Sequence, residues 1–541
     1  MTGRAETAER RRERNAGRRR RAIAGGAVAA LALTLAAAGP APAAETPPPS
    51  VAAELAAVTG KPLYDGSIWG YEVADARTGE VLATHNAGKT FVTGSILKVF
   101  SSATALEALG ADHRFRTPVH RRGRVVDGDL RGDLVLVAAG DTSFGLRDRP
   151  DGTLSFNDAP EADHNYADTG LPGAARPPGA TPLAGVADLA RQVRAAGIRR
   201  VRGDVAIDDR LFRTTRDGPD GTIAPIWVNE NVLDVVSAPT RPGRPARVRV
   251  HPRTSALRVD ARVRTVARAG APVTVRVDGD RVVVRGTVAA GGGPVLSIAH
   301  LADPARFARV AFIDALRRAG VRVDARTAGP NPRRLLPRSR AYPRATRVAV
   351  RVSPPLSEYV KVILKVSYNR GAHQLLCLVA AARGSRDCES GLRDELALLR
   401  RHGVSPRTTV VLDGAGSSEY DRSTPGDFTR FLRSIQETSW GAVLRAGLPT
   451  LGVDGSLAAD QRGTPAAGRV MAKTGTRASS APYGTGILTA LSQAGYIDGA
   501  GGRPLVFALF VRDVPLSPGF PEVGLAGADL SALSAAFQRG W

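Results

Sequence analysis

Only six of the 75 cationic residues in this 541-residue chain are lysines: Lys61, Lys89, Lys98, Lys361, Lys365 and Lys473. A guanidinium does not lose its proton in a protein, whereas a buried ammonium can, so an amine that acts as a base has to be a lysine. In a chain that writes nearly every cation as arginine, the remaining lysines mark candidate chemistry. Lys98 closes Ser95-Ile96-Leu97-Lys98, the only Ser-x-x-Lys of the chain. On a helix, i and i+3 share a face, which sets the amine beside the hydroxyl. A neutral Lys98 could take the Ser95 proton, and a helix start would favour the resulting negative charge. A capping serine followed by a solvated lysine is the commoner explanation of such a tetrapeptide, but Lys98 lies among apolar residues.

Two further short motifs follow. Ser367-Tyr368-Asn369 comes directly after the helix predicted to carry Lys365. A hydroxyl and an amide two residues apart in a tight turn can face one cleft, one relaying a proton and the other holding a substrate amide; a helix-capping turn would look the same. Lys473-Thr474-Gly475-Thr476 ends a strand predicted over 469–473. A strand edge offers backbone groups to an extended peptide, Lys473 can meet a carboxylate, and Gly475 permits close approach.

The elements that must position these residues are legible from periodicity. Trp69 to Val73 and Glu80 to Thr84 flank Ala76-Arg77-Thr78-Gly79, a hairpin pattern. A helix apolar on nearly all sides is predicted over 95–109, closed by Gly110, and belongs in a core. From about 119 to 345 short β-type runs dominate, including 133–137, 201–207, 247–250, 273–277 and 281–285. Alternation in 273–277 suggests one wet face, and Arg281-Val282-Val283-Val284-Arg285 a more buried strand. The Pro- and Arg-rich stretch 330–355 reads as a linker. Helices are predicted over 357–365, 372–382, 391–401 and 425–437, with late strands near Val470 and over 505–510.

In the order Ser-x-x-Lys, Ser-x-Asn, Lys-Thr-Gly, the three motifs form the signature of penicillin-binding proteins and serine β-lactamases. The 268 residues between Lys98 and Ser367 exceed what a compact β-lactamase holds there. The chain thus resembles the low-molecular-mass class C penicillin-binding proteins, the D-alanyl-D-alanine carboxypeptidase/endopeptidase family, over roughly residues 55–535. Other segments share the likeness, among them Gly132-Asp133-Leu134-Val135, Asn229-Glu230-Asn231-Val232, Asp413-Gly414-Ala415-Gly416 and Asp454-Gly455-Ser456-Leu457.

The resemblance implies an α/β (α+β) fold: a β-lactamase-like serine peptidase domain, an antiparallel sheet flanked by helices, with nested β-rich inserted domains. The expected division is 45–118 with 346–541 for the peptidase domain, 119–230 with 305–345 for a first insert and 231–304 for a second. It further implies that Ser95 attacks the penultimate D-Ala carbonyl with Lys98 as base. Ser367 would pass a proton to the leaving group and Asn369 would hold the substrate amide. Lys473, Thr474 and Thr476 would receive the terminal carboxylate, Gly475 would let the substrate approach, and the Ser95 and Thr476 amides would form the oxyanion hole. Peptidoglycan stem peptides would be substrates, β-lactams covalent inhibitors, and no cofactor or metal is implied. The alternatives are a non-catalytic wall protein, disfavoured by retention of all three motifs, and a β-lactam hydrolase, disfavoured by the long insertion.

Three positions depart from the family pattern: Ser417-Ser418-Glu419 where a Leu-Ser-Arg run is usual, a longer stretch 477–492, and Thr93-Gly94 before the nucleophile.

Residues 1–44 carry nine arginines and three glutamates, an Ala-rich apolar stretch and Ala41-Pro42-Ala43, the pattern of an export signal; an uncleaved anchor is the competing reading, and either a twin-arginine or a general secretory route fits. The expected site of action is extracytoplasmic, secreted or at the wall, with loose membrane association open. The formal charge of +24 falls to +18 without that segment. Dispersed arginines, few aromatics and no zinc or stacking motif argue against nucleic acid and leave anionic wall polymers or a mere compositional bias. Cys377 and Cys388, in an oxidising compartment, could form a local disulfide or a buried and a free thiol. No Cys, His or carboxylate cluster shows metal-ligand spacing.

Overall fold

The computed structural model describes residues 47–541 apart from 159–162, 169–172, 218–219 and 269. The expected export segment, residues 1–44, lies outside the described residues. No helix among the described residues is long and apolar enough to cross a membrane.

A central antiparallel sheet joins the two ends of the described chain. Its strand order is Val470–Ser480, Gly486–Asp498, Pro504–Arg512, Ile68–Asp75, Val81–His85, with Val514–Leu516 paired to Gly486–Asp498. The run from Leu505 to Val511 is apolar throughout because both of its faces are covered. Phe507, Leu509 and Val511 pack toward the terminal helices Pro49–Thr59 and Pro521–Gly540, where Val51, Leu55, Leu530 and Phe537 complete a core. Val506, Ala508 and Phe510 face the opposite core, built on the helix Lys98–Leu109. There Phe100 stacks on Phe428 with ring centres 4.6 Å apart and meets Phe431 edge-on at 4.9 Å. The segment that carries Ser95 and Lys98 is therefore wedged between sheet and helices.

A second sheet takes its strands from the middle of the chain in the order Arg322–Val323, Arg200–Val201, Asp129–Val137, Arg114–Val126, Arg347–Pro355, with Val205–Asp208 beside Asp129–Val137. Helices Ala184–Ala195 and Pro304–Arg318 share its core through Val186, Leu189, Val193, Ala308 and Phe312. Two smaller sheets follow: Arg247–His251, Val232–Ala238, Val295–His300, and Arg258–Val266, Arg281–Ala289, Thr274–Asp278. In the latter, the expected contrast appears: Thr274–Asp278 is an edge strand, and Val282 and Val284 of its neighbour are fully buried.

Two local expectations need correction, the linker and the start of the helix at Ser95. The stretch 330–355 is not all linker, because Arg347–Pro355 is a strand paired with Arg114–Val126. Its inward positions include Arg351, which meets Asp141 at 3.3 Å and Asp148 at 2.5 Å. A buried arginine with remote acidic partners breaks the apolar alternation that marks a strand. The long segment after Lys-Thr-Gly, to which the residue pattern assigns no conformation, forms the far end of a β-hairpin between Val470–Ser480 and Gly486–Asp498, with a register shift at Arg477. The helix predicted from Ser95 starts with a 3-10 turn, Gly94–Leu97, before α-geometry begins at Lys98. Cys377 and Cys388 form a disulfide that ties the helix Asn369–Ala382 to the start of Glu389–Arg401.

Candidate active site

Lys98 Nζ lies 2.6 Å from Ser95 Oγ and donates to the Ala415 carbonyl at 2.9 Å. The lysine is fully buried. Burial destabilises its ammonium and brings the pKa from 10.5 down to about 7, although Asp220 and Asp413 pull the other way. A substantial fraction is thus a neutral amine at neutral pH, able to accept the Ser95 proton along the contact that its charged form makes as donor.

The Ala415 carbonyl is aimed by Asp413. One carboxylate oxygen accepts the backbone N–H groups of Ala415 and Gly416 at 2.7 Å and of Ser417 at 3.3 Å, and the other that of Ser418 at 2.8 Å. Beneath it, burial and the adjacent Asp413 push the Asp421 carboxyl up to about 8. The two carboxyls are thus driven apart, Asp413, despite its burial, below its ordinary value by His373 and the loop amides, and Asp421 above it.

The strand carrying Lys473 is an edge of the central sheet. Lys473 is also fully buried, donates to the Thr474 carbonyl at 2.7 Å, and is held well below its ordinary pKa by burial and by Lys98. Thr474 Oγ1 donates to Ser456 Oγ at 2.8 Å, and Thr476 is exposed. Lys365, the third buried lysine, lies outside the reacting centre. It binds the Leu448 carbonyl at 2.6 Å and Asp454 at 2.5 Å, fixing the turn that supplies Ser456.

The edge strand and the Ser95 turn touch backbone to backbone. Gly94 has a positive φ of 53°, and a methyl on it would come 3.1 Å from the Thr476 nitrogen. A methyl on Gly475 would lie 2.7 Å from the Thr93 carbonyl oxygen and 2.9 Å from the Ser95 nitrogen. This packing brings together the Ser95 and Thr476 amides, and it leaves no room for a side chain at either glycine. Gly475→Ala is expected to force the strand off the nucleophile turn and lower the rate of Ser95 acylation on the order of 100-fold. Stopped-flow capture of a fluorescent penicillin measures it, and an unchanged rate would show that the contact is not needed.

Ser367 is buried and adopts a left-handed backbone, φ 57°. Among the described residues its hydroxyl bonds neither Lys98 nor Lys473. Asn369 opens the helix Asn369–Ala382 and donates from Nδ2 to Asp220 at 2.9 Å, while its Oδ1 is buried without a partner. Asp220 also receives Ser417 Oγ at 2.8 Å and pairs with His373 at 3.2 Å. Burial alone would raise the Asp220 carboxyl, but His373, Asn369 and Ser417 outweigh it and hold the group well below the usual carboxylate range. Asp220 therefore links Asn369 to the loop whose Ala415 carbonyl anchors Lys98. Sequence reasoning missed it, since nothing near Asp220 marks a residue that meets Asn369, 149 positions away.

Among the described residues, Asp163, His164 and Glu230 bring potential metal-ligand atoms within 4.8 Å of one another, a convergence invisible in their spacing. Arg147 occupies the Asp163 and Glu230 carboxylates, and both His164 nitrogens are taken by carboxylates. The group is built as an ion cluster.

Known proteins share both sequence and architecture with this chain. A D-alanyl-D-alanine carboxypeptidase of Actinomadura sp. is 29% identical over 491 residues, covering 84% of this chain and 80% of that protein. The D-alanyl-D-alanine carboxypeptidase DacB of Haemophilus influenzae is 22% identical, with 83% and 86% covered. The crystal structure of penicillin binding protein 4 (dacB) from Haemophilus influenzae superposes with a TM-score of 0.66 at 20% identity, over 89% of this chain and 97% of that one, which establishes the shared fold. The family profile described as D-Ala-D-Ala carboxypeptidase 3 (S13) matches residues 51–518. The chain belongs to the D-Ala-D-Ala carboxypeptidase 3 (S13) family and is a serine-type D-alanyl-D-alanine carboxypeptidase.

Proposed function

We propose that Ser95 is the nucleophile and Lys98 its base, a reading carried by their 2.6 Å contact inside a site that burial keeps near neutrality. Lys98 takes the Ser95 proton as Oγ bonds to the carbonyl carbon of the penultimate D-Ala. The Ser95 and Thr476 N–H groups face the oxygen where negative charge develops, a preorganised stabilisation that needs no rearrangement at the moment of reaction. The C–N bond then breaks, the proton reaches the leaving amine by way of Ser367, and D-Ala departs. Water adds to the ester and returns Ser95. Asn369 holds the substrate amide, and Lys473, Thr474 and Thr476 along the edge strand receive the terminal carboxylate. The same chemistry on a β-lactam leaves a slow ester on Ser95.

Cutting of D,D-cross-links by the same acyl-enzyme is part of this proposal, since an edge strand accepts an extended peptide whether or not the leaving amine is free D-Ala. So is the three-part division of the chain, supported by a central sheet that uses only residues before 86 and after 469. The enzyme acts outside the cytoplasmic membrane, where its substrate lies.

Intact-mass spectrometry tests the assignment. Penicillin should add its full mass to the protein, with Ser95 carrying it, and Ser95→Ala should stay unmodified. An adduct that survives the substitution would reassign the nucleophile. Muropeptide analysis after digestion of purified peptidoglycan reads the balance between D-Ala release and cross-link cleavage.

A further inference from the structure

Ser367 keeps a left-handed backbone conformation that a non-glycine residue adopts only at a cost, so something must hold it. Its carbonyl oxygen accepts a hydrogen bond from the hydroxyl of Tyr166, 201 residues earlier in the chain. Tyr166 ends a short 3-10 turn, His164–Tyr166, contributed by the inserted region. The residue before it reaches the other side of the same motif: Asn165 Oδ1 accepts from Arg370, which directly follows Asn369. Arg370 donates as well to the Glu230 carbonyl at 2.7 Å.

Behind this turn lies a cluster of buried charges. Arg147 binds Asp163 through two bonds of 3.0 Å and Glu230 through bonds of 2.5 and 3.1 Å. His164 is clamped between Glu230 and Asp234, both at 2.9 Å. Two carboxylate acceptors require both ring nitrogens to donate, so the ring is an imidazolium. Although burial opposes that charge, Asp234 and Glu230 bring its pKa up to about 9. Asn165 Nδ2 donates to Asp163 at 2.8 Å and to Glu230 at 2.6 Å. Glu230 itself stands in a run of three left-handed residues, Asn229, Glu230 and Asn231, with φ of 54°, 50° and 56°. Such a run persists only where surrounding contacts over-determine it. The turn is thereby fixed at every residue, and the bonds that Tyr166 and Asn165 make to the motif end on the segment 367–370.

We propose that Tyr166 is a positioning residue for Ser367, and that the buried ion cluster makes the inserted region part of the acyl-transfer machinery. This rests on the reading of Ser367 as a proton relay given above. Tyr166 sets the direction of the Ser367 hydroxyl by fixing the peptide unit that carries it, and Arg370 fixes the far end of the motif. Neither touches the substrate's reacting atoms in this role.

A double-mutant cycle tests the link, using purified full chain, labelled penicillin and a pair of D-alanyl substrates with amide and thiolester leaving groups. Tyr166→Phe is expected to slow penicillin acylation and amide cleavage about tenfold, the effect of one lost directional hydrogen bond, at an unchanged Tm. It should leave thiolester cleavage nearly intact, because a thiolate departs without a proton. In the Ser367→Ala background the same substitution should have no further effect on acylation. An undiminished factor in that background, or no effect in the parent, would overturn the proposal. The relay reading is judged separately: if Ser367→Ala alone slows amide and thiolester equally, Ser367 is not the proton relay, while the acylation cycle still reports whether Tyr166 acts through it.

Discussion

Lys98→Arg should reduce acylation of Ser95 on the order of 10³-fold, the scale of a lost general base, as measured by the second-order rate of covalent penicillin capture. Arginine keeps the positive charge and could still donate to Ala415, so a role in fixing the loop or attracting an anion would survive the change. Proton acceptance would not, because guanidinium stays protonated. The pH dependence gives an independent reading. With the Lys98 pKa brought down to about 7, the neutral form is the minority below that value and the majority above it. Acylation should therefore climb about tenfold per pH unit up to about pH 7 and level off beyond it. A flat profile from pH 5 to 9, or near-normal capture by Lys98→Arg, would remove Lys98 as the base.

Asp413→Ala should lower both stability and activity, because one carboxylate organises the whole loop opposite the nucleophile. Three backbone N–H groups, those of Ala415, Gly416 and Ser417, lose their acceptor, while that of Ser418 keeps Asp421 at 3.2 Å. Each group left unsatisfied costs about 1–3 kcal/mol, offset where water can enter, so a net loss of about 3 kcal/mol is expected in urea unfolding. The Ala415 carbonyl then loses its aim at Lys98, and penicillin capture should fall about 100-fold in protein that remains folded. Asp413→Asn retains an acceptor oxygen and should fall between the two. If Asp413→Ala stays fully active when folded, the loop does not position Lys98.

The two effects separate what local chemistry supplies from what long-range structure supplies. Lys98 was visible as a candidate because the residue type is scarce and the Ser-x-x-Lys spacing has a meaning on any helix. Asp413 was visible only as part of a family-like segment, and its hydrogen bonds to four amides depend on a loop shape that no residue pattern specifies. Asp220, Tyr166 and Arg370 were not found at all. Each works through a partner at least 140 residues away, and each resembles an ordinary surface or loop residue in its own neighbourhood. Arg351 misled in the opposite direction: its inward charge, matched by Asp141 and Asp148, disguised a strand as a linker.

The sequence by itself supplied the candidate reacting groups, their order, the helix after Ser95, strands with period-two burial, and the peptidase family. These follow from residue chemistry and from contacts within a few positions, where spacing and backbone geometry are tightly linked. Tertiary structure alone decided the 3-10 entry at Gly94, the backbone contact between Gly475 and Ser95, the depressed pKa of Lys98 and the charged brace behind Ser367. Those depend on burial and on segments hundreds of residues apart meeting within hydrogen-bond distance. Desolvation and carbonyl direction are properties of the packed fold, and it is they that suit a serine and a lysine three residues apart to the proposed roles of nucleophile and base.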